Sequence, residues 1–314
     1  MVSTKEARVA CVIVTYNRKV YLKRCLEAVE RQIFQPQTVY IVDNASTDGT
    51  IDSVKEWGFY NCKRNGIVYK YVLNNKNEGG AGGFHLGMKT AFEFAYYDGF
   101  WVMDDDGEPD KECLKELVKF LPNRDYIAPM VLSDEDRNSC SFIPDKKYEE
   151  VCRQADSNGV IESWASPFNG ILYSHKLIEK IGYPKKEMFI WGDEINYQIR
   201  AEKAGFCRMT NVKAIHYHPV DRQVSVCNED TLNESVSEVK ADWKLYCLLR
   251  NQAYNRTLLY NPYRAFRKNM LMLKAYKHYY HLILKDYSKD KLMRNAVLAG
   301  TIGYFGGLKK YMEN

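Results

Sequence analysis

Phe100-Trp101-Val102-Met103-Asp104-Asp105-Asp106-Gly107 is an apolar run that ends abruptly in three carboxylates. The apolar part has the length and continuity of a strand buried on both faces. Three acids delivered at the carboxyl end of such a strand form a hard-oxygen site of the kind that suits Mg²⁺ or Mn²⁺. The competing reading is a solvated acidic turn, with Asp106 capping a helix that begins near Pro109. The neighbouring sequence has to decide between the two.

Outward from that run, strand and helix signals alternate. Val9-Ala10-Cys11-Val12-Ile13-Val14 is a second continuous apolar stretch. Residues 38–42 and 67–73 read as further strands. Residues 21–32, with Leu22, Leu26 and Val29 on one side, and residues 83–97 read as helices. Repeated βαβ units imply a largely parallel sheet with helices on both faces. Ligands in such sheets bind beyond the carboxyl ends of the strands. Asp43, ending the strand 38–42, and Asp104 to Asp106 therefore belong to one edge.

Other residues at that edge carry chemistry. Thr15-Tyr16-Asn17-Arg18 follows the first strand and adds an aromatic face, an amide and a cation. Arg18 can pair a phosphate or make a surface salt bridge. A carboxylate such as Asp43 can accept a hydrogen bond from a base or ribose, although as a lone residue it fits a turn equally well. In Asn77-Glu78-Gly79-Gly80-Ala81-Gly82-Gly83-Phe84, four glycines in five residues let the backbone approach a ligand. The run is neither a P-loop nor a dinucleotide fingerprint. Later, Trp191-Gly192-Asp193-Glu194 opens a segment of helical periodicity. Glu194 there is as well explained by the helix dipole as by function, whereas Asp193, behind the Trp-Gly pair, is the better candidate for a general base. His216-Tyr217-His218-Pro219 ends an apolar-flanked strand, with both imidazoles on one face and either able to complete a carboxylate metal site.

Taken together, in order and spacing, these motifs resemble the bacterial family-2 glycosyltransferases, whose catalytic domain has the GT-A fold. The resemblance runs from Met1 to about Pro219. Within the family, N-x-G-G-A-G-G-F followed by D-D-D and W-G-D-E is most similar to the galactofuranosyltransferases and their rhamnosyltransferase relatives. The resemblance implies an α/β GT-A fold, Rossmann-like with a mostly parallel sheet, over residues 1–225, and a helical region over 226–314. It implies an inverting, metal-dependent transfer to a glycan or lipid-linked glycan acceptor in cell-surface polysaccharide synthesis. The donor it implies first is UDP-galactofuranose, with dTDP-rhamnose as the alternative. Asp43 would hold the nucleobase, in a donor pocket begun by Thr15, Tyr16, Asn17 and Arg18 and continued by Asn77, Gly79, Gly80, Asp104 and Asp105. Asp104, Asp106 and His218 would hold Mn²⁺ or Mg²⁺, and Asp193 would deprotonate the acceptor. Trp191, Glu194, Trp243 and Arg250 would lie on the acceptor side, the last two in a W-x-x-Y-x-x-x-R-N element that departs from the usual pattern at Cys247.

Composition sets limits on the alternatives. Nine scattered cysteines without a C-x-x-C pair fit a reducing cytoplasm and neither a disulfide framework nor a zinc knuckle. No signal peptide or apolar run of membrane-spanning length is expected. The net charge of +5 divides into −6 before residue 240 and +11 from Lys240 onward. The basic, Tyr-rich tail reads as helices over 235–260, 262–287 and 291–311. Such helices either lie on an anionic membrane surface, making the enzyme peripheral to the membrane, or pack on the catalytic domain or a second subunit. Nucleic acid is not the expected partner, because the front is acidic and no recognised binding motif is present. A metal-dependent nucleotidyltransferase or phosphohydrolase could also use clustered aspartates, but it would need no glycan acceptor.

Overall fold

The computed structural model describes residues 7–162, 164, 168–220 and 225–312. Backbone proximity divides the chain into two compact units, residues 1–186 with 200–221, and residues 187–199 with 222–314. The expected boundary after residue 225 adjoins 221–224, which lie outside the described residues. Trp191, Asp193 and Glu194 fall in the second unit, with the C-terminal helices.

The first unit alternates β1 (Val9–Thr15), α1 (Lys19–Glu30), β2 (Thr38–Asp43), α2 (Thr50–Glu56), β3 (Ile67–Leu73), α3 (Gly79–Phe94) and β4 (Gly99–Asp104). β4, β1, β2 and β3 are neighbours in that order and all parallel. Every residue of β1 is buried, as its unbroken apolar sequence requires of a strand covered on both sides. Leu22, Cys25, Leu26 and Val29 recur at helical spacing and form the buried face of α1. α3 begins at Gly79, earlier than residue 83, because the glycine run is itself the first turn of the helix. A Cβ on Gly83 would come 2.4 Å from Val14 and one on Gly87 2.5 Å from Val12. Both glycines therefore let the helix lie directly on the sheet.

Beyond β4 the topology departs from expectation. The sheet is mixed, with short antiparallel pairings added to the longer parallel ones. Residues Glu108–Pro109 form a short β5, followed by α4 (Cys113–Val118), β6 (Tyr126–Ser133) and β7 (Ile171–Ser174). β7 lies antiparallel between β4 and β6. β8 (Arg208–His218) then runs parallel to β6. It also pairs antiparallel with β5, His216 opposite Pro109 and Tyr217 opposite Glu108. The triplet does turn, with the Gly107 N–H reaching Asp104 O at 3.3 Å, but the turn is buried at Asp105 and leads into a strand, and the next helix begins only after Glu112, so Asp106 caps no helix.

The second unit contributes the start of α6 (Asp193–Lys203), after the short α5 (His175–Ile181) of the first unit. It continues with α7 (Asp242–Leu259), α8 (Pro262–His278) and α9 (Asp290–Thr301). Leu245, Leu249, Met272, Tyr276, Met293 and Val297 lie at their shared core. The expected helix over 235–260 begins only at Asp242, because Val236–Ser237 pairs as a strand with Ser225–Val226. α8 starts where Asn261 accepts the Arg264 N–H at 2.9 Å, with Pro262 at the first helical position. It runs on through a π turn, Tyr279–Ile283. No helix among the described residues is long and apolar enough to cross a membrane.

Candidate functional site

In the first unit the register of three parallel strands assembles the site. Thr15 lies beside Asp43, and Val14 beside Asp104. The loop after β1 is tied to the triplet, since the Thr15 hydroxyl donates to Asp105 Oδ2 at 2.6 Å. Arg18 Nη1 reaches Asp106 Oδ2 at 2.6 Å and lies 3.6 Å from Asp105. The same loop is tied to the loop after β2, where Asn17 Oδ1 accepts the Thr47 N–H at 2.7 Å. Tyr16, 41% exposed, presents its ring to solvent.

Asp43 is almost wholly enclosed. It accepts from the Ser46 N–H at 2.8 Å and from the Tyr71 hydroxyl. The two oxygens of a carboxyl group can accept more than two hydrogen bonds, so these two leave acceptor capacity. Asn44, next in sequence to Asp43, is a junction. Its side chain donates to Gly79 O at 2.8 Å and to Asn77 Oδ1 at 3.1 Å, and accepts from Asn74 at 3.0 Å. Asn77 in turn accepts the Gly79 N–H at 2.8 Å, fixing the first turn of α3. A Cβ on Gly80 would meet nothing within 4 Å, so that turn is open on one side.

The triplet is electrostatically loaded. Burial, then its neighbours Asp106 and Asp105, pushes the Asp104 carboxyl well above the usual range. Burial likewise raises Asp105 to about 7, against the opposing hydrogen bond from Thr15. Asp106 behaves oppositely: although burial works against its charge, the His218 imidazole and the Arg18 guanidinium hold its carboxyl low. His218 Nε2 lies 3.2 Å from Asp106 Oδ1 and its Nδ1 bonds to Pro219 O at 2.7 Å. His216 is different. It is fully enclosed, and burial lowers its pKa to about 3. A Cβ on Gly107 would come 2.4 Å from its Nε2, and one on Gly170 2.7 Å from its Nδ1. Of the two histidines, His218 is the one that meets the triplet.

Among the described residues no group of three His, Cys, Asp or Glu side chains is placed to hold a metal ion. A cation bridging a diphosphate needs only one or two carboxylates, with phosphate oxygens and water completing its shell. Asp104, whose charge burial and its acidic neighbours disfavour, and Asp106, whose charge is favoured, are adjacent oxygen donors that such a cation satisfies, so the residues fit the group.

In the second unit Asp193 heads α6 after an unusual loop. Phe189, Trp191 and Gly192 have φ of 70°, 59° and 90°, a region that bulky side chains rarely adopt. Helix α7 holds this loop by its carbonyls. Asn251 Nδ2 donates to Met188 O, Ile190 O and Trp191 O at 2.8–2.9 Å. Arg250 Nη2 donates to Met188 O at 2.7 Å, Arg250 Nη1 to Phe305 O at 3.1 Å, and Asn255 Nδ2 to Gly192 O at 2.8 Å. Arg250 is 0% exposed. Its expected place on an acceptor surface is therefore corrected: it shapes the loop from within. Glu194 is also engaged, accepting the Gly192 N–H at 3.0 Å. Trp191 and Trp243 remain partly exposed, with Lys244 Nζ 5.6 Å and 5.4 Å from their ring centres. Asn255 was missed in the sequence because nothing marks a polar residue at the buried end of a helix as a loop anchor.

Asn251→Ala removes the donor that α7 supplies to Ile190 O and Trp191 O, while Met188 O keeps the Arg250 guanidinium. It is expected to destabilise the protein by about 1–3 kcal/mol and to lower the melting temperature by about 2–10 °C. Thermal unfolding checks this, and an unchanged Tm would mean that water serves these carbonyls equally well.

Comparison with known proteins defines the class. The fold is shared with the mannosyltransferase PcManGT from Pyrobaculum calidifontis in complex with GDP-Man and Mn²⁺, with a TM-score of 0.54 and 17% identity over 98% of this chain and 79% of that one. It is shared equally with S. aureus TarS in complex with UDP-GlcNAc, at a TM-score of 0.54 and 17% identity over 94% and 81% of the two chains. The family model described as "Glycosyl transferase family 2" matches residues 10–158. The galactofuranosyltransferase GlfT1 of Mycobacterium tuberculosis is 30% identical over 221 residues, covering 67% of this chain and 70% of that protein. The chain belongs to glycosyltransferase family 2.

Proposed function

We propose that the protein transfers galactofuranose from UDP-galactofuranose to a hydroxyl of a glycan or lipid-linked glycan, with inversion and with a divalent cation. The observation that carries the reading is the crowded Asp104–Asp106 cluster beside His218, on the same strand edge as Asp43. Similarity to the mycobacterial galactofuranosyltransferase supports the choice of donor. Asp43, with the loop Thr15 to Arg18, binds the nucleoside, and Asn77, Gly79 and Gly80 line the donor at the open first turn of α3. Asp104, Asp106 and His218 would hold Mn²⁺ or Mg²⁺, which offsets the charge that develops on the leaving diphosphate. Asp105 positions the loop after β1 through Thr15. Asp193 takes the proton of the attacking hydroxyl, and the lone pair so freed displaces the diphosphate in line, which inverts the anomeric carbon. The partly exposed rings of Trp191 and Trp243 offer apolar faces for the acceptor sugar.

Calorimetric titration tests the reading. UDP is expected to bind with Mn²⁺ present, more tightly than dTDP, and weakly without the cation. A preference for dTDP would move the donor to dTDP-rhamnose, and binding of both nucleotides regardless of metal would overturn the scheme. The pH dependence has a definite sign. Asp104 is raised by burial and its acidic neighbours, and a cation held there would compete with its proton. Mn²⁺-dependent UDP affinity should therefore rise from pH 6 to pH 8.

A further inference from the structure

Residues 243–285 contain nine Lys and Arg and no Asp or Glu. Within this stretch α8 turns Ala265, Asn269, Met272, Ala275 and Tyr276 inward. The opposite side carries Tyr263, Phe266 and Leu271, which are 73%, 52% and 40% exposed. Arg264, Arg267 and Lys274 stand exposed among them. Tyr263, Phe266, Arg267, Leu271 and Lys274 recur at i, i+3, i+4, i+8 and i+11 and so make one continuous face, with Arg264 at its edge. Among the described residues these three cations have no acidic partner. Arg264 and Arg267 lie instead over Tyr260 and Tyr263, 4.8 Å and 5.8 Å from the ring centres. The π turn that follows exposes Leu282 and Ile283, at 48% and 50%.

We propose that this face of α8 is a docking surface for an anionic lipid bilayer, on which the helix lies flat. The charge complements acidic headgroups, and each cation near such a surface strengthens binding about fivefold. The large apolar side chains between the cations find their place below the headgroups, where aromatic rings concentrate. That mixture separates this partner from others. Phosphate binding to a nucleic acid gains nothing from exposed Phe266 and Leu271. Pairing with a second copy would set like charges against each other. The inference goes beyond the donor chemistry and uses none of the residues assigned to it.

The test is co-sedimentation of the full chain with vesicles of phosphatidylglycerol and phosphatidylcholine, compared with pure phosphatidylcholine. Binding is expected only to the anionic vesicles and should weaken with salt. The exposed pair Arg267→Glu with Lys274→Glu should lower the partition coefficient more than about tenfold. Phe266→Ala with Leu271→Ala should lower it about tenfold, with the melting temperature unchanged for both pairs. Transfer to a water-soluble acceptor should stay at the wild-type rate in both, which separates this surface from the glycosyltransferase reading. Equal binding to both vesicle types, or either pair behaving as wild type, overturns the proposal. So does capture of RNA that is lost on charge reversal but indifferent to the Phe266 and Leu271 changes. Loss of transfer with vesicle binding intact would assign these residues to another task.

Discussion

Asp193→Asn is expected to lower the transfer rate by about 10²–10⁴-fold or more, the range attributed to a general base, while the affinity for UDP with Mn²⁺ changes less than about twofold. The substitution keeps the shape of the side chain and removes its basicity. Asp193 is only 5% exposed, so the isosteric amide avoids the cavity that Ala would leave. Its backbone is fixed by a loop whose carbonyls are gripped by Asn251 and Asn255, so the position should survive the change. Single-turnover kinetics with a soluble acceptor, set beside UDP titration, measure the two quantities separately. If donor affinity collapsed together with the rate, Asp193 would be a binding residue and the proton would need another acceptor.

Much of the first unit was legible because its strands announce themselves. β1 and β4 are continuous apolar runs, and a strand covered on both faces has little freedom to be anything else. Once the βαβ order is read, the placing of Asp43 and Asp104 at the same end of the strands flanking β1 follows from parallel register alone. The second half hid its topology. β7 is four residues long and lies antiparallel in the middle of the sheet, and no local pattern distinguishes it from a turn. β5 is only Glu108–Pro109, yet its pairing with β8 is what brings the histidines to the triplet. The choice between His216 and His218 rested on packing, namely the closeness of Gly107 and Gly170 to one imidazole and of Asp106 to the other. Arg250 misled for a related reason. An arginine reads as a ligand-facing cation, and only the carbonyls crowded around it reveal an internal brace.

The three adjacent aspartates should separate sharply under the same conservative change. Asp106→Asn is expected to weaken Mn²⁺-dependent UDP binding by about 10²-fold or more, since losing even an outer partner of a metal site costs about 10–100-fold. Asp106 is the member of the triplet whose charge is already favoured, held low by His218 and by Arg18 at 2.6 Å. Removing that charge leaves the Arg18 guanidinium facing a neutral amide and takes one oxygen donor from the cation. Asp105→Asn should be far milder, within about tenfold. Its carboxyl titrates near 7, so it is already partly neutral at working pH, and an amide oxygen can still accept the Thr15 hydroxyl at 2.6 Å. Isothermal titration of UDP into each variant, with and without Mn²⁺, gives the comparison directly. Equal losses in the two variants would mean that the triplet acts as one diffuse negative field. A greater loss in Asp105→Asn would make the tie to Thr15, rather than cation binding, the reason three carboxylates stand together.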